Sequence, residues 1–106
     1  MKEVPNLSYI KTLSGGDLEF EKKLISIIKN EFPVEKKTYF ENLKAKKFIE
    51  VAENVHKLKH KISILGLEKS YELAVTYENN LRDFDLTHEK DFQNILKTMT
   101  DFLNTL

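Results

Sequence analysis

Residues 48–66 read FIEVAENVHKLKHKISILG, and this stretch decides the fold class. Phe48, Val51, Val55, Leu58, Ile62 and Leu65 recur every three or four residues, the spacing of one helical face rather than the alternation of a strand. Such a stripe has to be buried against other elements, and Gly66 is placed to end the helix in a left-handed turn. Downstream, Leu67, Tyr71, Leu73, Ala74, Tyr77 and Leu81 continue the same period in a fourth helix that closes in a loop from Arg82 to Leu86. Thr87 is placed to cap a last helix burying Phe92, Ile95, Leu96, Met99, Phe102 and Leu103.

Upstream, Asp17 offers an N-cap oxygen to a long helix carrying Leu18, Phe20, Leu24, Ile25, Ile27, Ile28 and Phe32. Pro33 lacks an amide proton and is expected to kink or restart this helix, after which Val34, Tyr39, Phe40 and Leu43 continue the apolar face to about Ala45. A short leading helix over Pro5 to Leu13 turns Leu7, Ile10 and Leu13 to one side and stops at Gly15-Gly16. The aromatic residues Phe20, Phe32, Phe40, Tyr71 and Phe102 are assigned to packing. Four long amphipathic helices with short connections predict an all-α, up-down-up-down four-helix bundle with a short additional N-terminal helix. Residues 1–106 read as a single domain.

Composition agrees with that class. The 106 residues contain three Gly and two Pro, with 41% hydrophobic and 32% charged residues, a mixture suited to one compact core and not to a many-turned β-sandwich. There is no cysteine, which excludes disulfides, thiolate metal sites and a cysteine nucleophile, and makes a reducing cytoplasm the simplest compartment. No continuous apolar run suggests a signal peptide or a membrane span. Net charge is zero but unevenly spread: residues 35–61 carry eight lysines against four acids, a net +4, and residues 83–106 carry a net −3. That contrast is too mild for nucleic-acid binding, whereas the lysines at 44, 46, 47, 57, 59 and 61 would suit one acidic partner.

The informative anomaly is on the third helix. At about 100° per residue, with Val55 set to zero, Lys59 falls near +40°, inside the apolar margin, while Ser63 lies near +80° and His56 near +100° at the border with solvent. A lysine in that margin is expected to snorkel, carrying its ammonium toward the surroundings of His56. A boundary imidazole, largely neutral at pH 7, can attack phosphorus, and a neighbouring lysine can neutralise phosphoryl oxygens. No GxxxxGKS/T loop or Gly-rich lid is present, so the chain has no means of drawing phosphate from a nucleotide itself. His56 and His60, at i and i+4, have chelate spacing, but they lack the further ligands of a structural zinc site and the HExxH glutamate.

The segment from Val55 to Leu67 resembles the signature of the histidine-containing phosphotransfer (HPt) family. His56, Leu58, Lys59, Ser63 and Gly66 match its pattern, and Gly16-Asp17, Phe32-Pro33 and Tyr77-Glu78 occupy places where the family has similar residues. The resemblance implies that His56 is the phosphorylated nucleophile, that Lys59 steadies the phosphoryl group and that Glu78 orients the imidazole from the next helix. It implies receiver domains and a hybrid sensor kinase as partners, docking over Lys57, His60 and Ser63. It also implies no resident cofactor, Mg²⁺ being supplied by the receiver, and no enzymatic activity beyond carrying phosphate. One position departs: His60 stands where the family has glycine, one turn from His56 on the face a receiver would approach. An HPt-derived module that binds receivers without being phosphorylated is therefore the second expectation. Plainer readings also stand, with Lys59 as a snorkelling surface lysine and Glu78 as a solvated residue paired with Arg82 four positions on.

Overall fold

The computed structural model describes residues 3–106, which form five helices: α1 (Ser8–Ser14), α2 (Leu18–Lys44), α3 (Phe48–Ile64), α4 (Glu68–Arg82) and α5 (Glu89–Leu103). No strand occurs among the described residues, so the all-α expectation holds. The principal packing is α3 on α4 and α3 on α2; α5 touches both α4 and α2, and α1 rests on α2. Among the described residues no helix is long and apolar enough to cross a membrane.

The stripe that decided the fold class is buried as its spacing requires. Val51, Val55, Leu58, Ile62 and Leu65 have no exposed surface, and Phe48 packs against them at the margin. Each such aliphatic side chain contributes about 1.5–3 kcal/mol of burial free energy. Across this layer Tyr39 of α2, Tyr77 of α4 and Phe92 of α5 form an aromatic cluster with centroids 5.1–6.4 Å apart. Burial pushes both phenols above their ordinary pKa, and their hydroxyls satisfy each other at 2.7 Å.

Helix ends follow local chemistry. The Asp17 side chain accepts the Phe20 amide at 3.1 Å, as expected of an N-cap. At the end of α3, Gly66 at φ +79° donates to Ser63 and Leu67 to Ile62, a Schellman closure that favours glycine. A Cβ there would also meet the Asn6 side chain at 2.5 Å. The amino-terminal segment supplies a cap that local sequence does not announce: Glu3 accepts the amides of Lys69 and Ser70, both at 2.7 Å, at the start of α4.

Several expectations are corrected. The long helix does not restart at Pro33 but runs unbroken from Leu18 to Lys44; Pro33 is exposed, where solvent can serve the carbonyl left without a donor. The leading helix begins at Ser8, since the Asn6 side chain accepts the Ser8 amide, and it buries Ile10 while Leu13 stays open. Thr87 does not cap the last helix. Asp85 accepts both its amide and its hydroxyl, and α5 starts at Glu89 after His88. Phe20, Val34 and Phe40 are exposed rather than packed: Val34 and Phe40 follow the buried Phe32 and Tyr39 by two positions and one, turning about 200° and 100° from the buried face, and Phe20 lies near the outer end of a 27-residue helix that outruns its 17- and 15-residue neighbours.

Candidate functional site

The site is built on the α3–α4 pair, the most extensive helix contact in the molecule. Val55 and Leu58 anchor α3 in the core, which places His56 at the rim with 52% of its side chain exposed. Tyr77 and Leu81 do the same for α4 and hold Glu78 inward, where only 9% of its side chain is exposed. His56 Nδ1 lies 3.2 Å from Glu78 Oε2, Lys59 Nζ donates to Glu78 Oε1 at 2.9 Å, and the Arg82 guanidinium donates to Oε2 at 3.1 Å.

One carboxylate thus faces three nitrogen groups. Burial alone would raise the Glu78 pKa, but the hydrogen bonds from Lys59 and Arg82 and the nearby charge hold it below the usual carboxylate value. An ionised carboxylate only accepts hydrogen bonds, so a neutral His56 must donate from Nδ1. The lone pair then sits on Nε2, which has no hydrogen-bond partner among the described residues. With His56 neutral, Glu78, Lys59 and Arg82 sum to one surplus positive charge beside that lone pair. The arrangement suits an incoming anion.

The structure brings His56, Lys59 and Glu78 together, and Lys59 carries its ammonium to the Glu78 carboxylate beside His56, mostly buried rather than snorkelling to solvent. The plainer reading of Glu78 holds for its partner and not for its surroundings: it pairs with Arg82, yet it is buried rather than solvated and meets His56 as well. Lys57 is exposed and lines an open cleft of about 360 Å³ with His56, Glu78, Arg82 and Glu53. The His60 ring stands edge-on to His56 with centroids 5.2 Å apart, while Ser63 is exposed and takes no part in the hydrogen-bonded cluster. Among the described residues no three His, Cys, Asp or Glu side chains are grouped to hold a metal ion.

Lys61 does not belong to the basic surface around His56. It is buried on the other side of α3, within 3.1 Å of Glu31 and 3.0 Å of Glu35 on α2. The spacing of the lysines conceals this, because only the position of α2 decides which of them turns inward. Comparison with known proteins finds no matching family model, curated protein or solved structure.

Proposed function

We propose that this chain is a histidine phosphocarrier of the HPt type, folded as an up-down-up-down four-helix bundle and working in the cytoplasm. It accepts a phosphoryl group on His56 from an aspartyl phosphate of a receiver domain and passes it to another, in a relay fed by a hybrid sensor kinase. The observation that carries this reading is the half-exposed His56 ring, its Nδ1 held by the buried Glu78 carboxylate and its Nε2 left open.

The chemistry balances without a base on this chain. The Nε2 lone pair attacks phosphorus, an N–P bond forms, the acyl phosphate P–O bond breaks, and the aspartate leaves as a carboxylate. The ring keeps its Nδ1 proton and becomes a cation, which the Glu78 carboxylate is placed to neutralise. Lys59 and Arg82, both bonded to Glu78 beside the ring, supply positive charge for the phosphoryl oxygens on Nε2. Mg²⁺ for the acyl phosphate belongs to the receiver. A second reading, an HPt-like module that binds receivers without being phosphorylated, is favoured by the His60 ring lying against His56.

Phosphoramidate, a small phosphodonor, and phosphorylated receivers test both readings. Acid-labile phosphate on the wild type, absent from His56→Gln at unchanged helical content, is expected of the carrier. Receiver binding with no label from either donor establishes the module instead.

A further inference from the structure

The second imidazole on the exposed face of α3 has no part in the phosphoryl chemistry described above. His60 stands four residues after His56, one helical turn along the same face, and both rings are exposed. Their centroids lie 5.2 Å apart with the ring planes at 86°. A metal ion held by an imidazole nitrogen at about 2.0–2.1 Å stands about 3.2 Å from that ring's centroid, so two rings on one tetrahedral ion have centroids about 5.2 Å apart. His56 and His60 keep that separation.

The surrounding atoms fit a metal ligand as well. Glu78 takes the Nδ1 proton of His56 and leaves a lone pair on Nε2, and a carboxylate behind the ring is how metal-ligating histidines are almost always oriented and made more basic. His60 makes no hydrogen bond among the described residues, so its ring nitrogens are available. Around the cleft Lys57, Lys59 and Arg82 outweigh Glu53 and Glu78 by one positive charge. That surplus opposes hard cations, which are held by charge and oxygen, whereas borderline ions gain their affinity from imidazole nitrogen. We propose that His56 and His60 chelate a borderline divalent ion of the Zn²⁺ type, with water completing its coordination, and that the ion keeps phosphate off His56 by occupying the Nε2 lone pair. The site stands on the ring geometry alone; the block rests on the phosphocarrier reading.

Titrating the full chain with Zn²⁺, in a non-chelating buffer at a pH where both imidazoles are neutral, tests the two parts separately. Calorimetry should give one Zn²⁺ per chain, and the side-chain ¹H–¹⁵N correlations of His56 and His60 should shift while those of His88 stay. His60→Ala installs a strong helix former, so folding is not in question. It should weaken Zn²⁺ binding by more than the roughly 10- to 100-fold that losing a group behind a ligand costs, because a ligand itself is removed. Mg²⁺ at the same concentration should shift neither ring. Phosphoramidate labelling of the wild type should fall in proportion to the fraction of chain holding Zn²⁺ and return with EDTA; at the Zn²⁺ level that halves the wild-type rate, His60→Ala should label as fast with the metal as without it. Equal Zn²⁺ affinity in wild type and His60→Ala overturns the chelate, and so does a matching response to Mg²⁺ or a Zn²⁺-bridged dimer. Zn²⁺ bound at both rings with labelling unaffected overturns the block. Metal-free wild type that takes no label from phosphoramidate or phosphorylated receivers removes the function proposed above and the block with it, while the Zn²⁺ titration still decides the site.

Discussion

Replacing Glu78 separates its two tasks, holding the fold and orienting His56. The carboxylate is nearly buried and faces two cations and an imidazole. Glu78→Ala leaves Lys59 mostly buried without its counter-ion, whereas Arg82, almost half exposed, can return to water. Breaking a wholly buried pair from one side costs about 3–5 kcal/mol; with Lys59 able to snorkel outward, about 2 kcal/mol is expected, or a fall in Tm of roughly 8–16 °C for a domain near this size. Glu78→Gln keeps an acceptor oxygen and should lose about half as much. The loss depends on pH. Because the folded-state pKa of Glu78 lies below its unfolded value, its contribution is fully present above about pH 4.5 and disappears as pH falls through the lowered folded value. The stability gap between wild type and Glu78→Gln should therefore be widest near neutrality and close in acid. The second task is read by long-range ¹H–¹⁵N correlation at pH 8. Wild-type His56 should carry its proton on Nδ1, Glu78→Gln should keep that tautomer, and Glu78→Ala should move toward the Nε2-protonated form with slower phosphorylation. An unchanged His56 tautomer in Glu78→Ala would refute the orienting role, whatever happens to Tm.

Lys59→Ala should slow phosphorylation of His56 roughly 100- to 1,000-fold, in line with removal of one preorganised charge-stabilising donor; single-turnover labelling checks this, and a wild-type rate would make Lys59 only a partner of Glu78. His60→Gly should lower Tm by only a few degrees, since glycine costs a helix somewhat less than 1 kcal/mol against histidine, and it should broaden the set of receivers that exchange phosphate. An unchanged profile across a receiver panel would leave the His60 ring no part in recognition. Lys61→Met should cost about 2 kcal/mol in denaturant unfolding by stranding Glu35, while Glu31 stays largely solvated, yet it should leave His56 labelling at the wild-type rate. Slower labelling would mean that the α2–α3 ion pairs reach the site.

The helices and most of the α3–α4 site are legible in the sequence because they depend on one periodicity. Once Val55 and Leu58 face the core, the rim position of His56 and the margin position of Lys59 follow from the geometry of a single helix. Glu78 is different: nothing on α4 announces that it points at His56, and its placement came from the HPt resemblance; in the structure the contact depends on the relative rise of α3 and α4. The same dependence hides the partners of Lys61 on α2, the Tyr39–Tyr77 hydroxyl pair and the capping of α4 by Glu3, each of which joins residues 26–67 positions apart. Phe84 is hidden for another reason. Its composition says core and its position says turn, and only the left-handed backbone together with an exposed ring shows that neither description is sufficient. Local rules therefore fail at three kinds of place here: buried charges, caps supplied from a distance, and a hydrophobic residue where glycine is favoured. The first two failures concern how the helices are held together. The third stands at the end of α4, where the edge-on contact with Phe48 is what offsets the cost of the left-handed backbone.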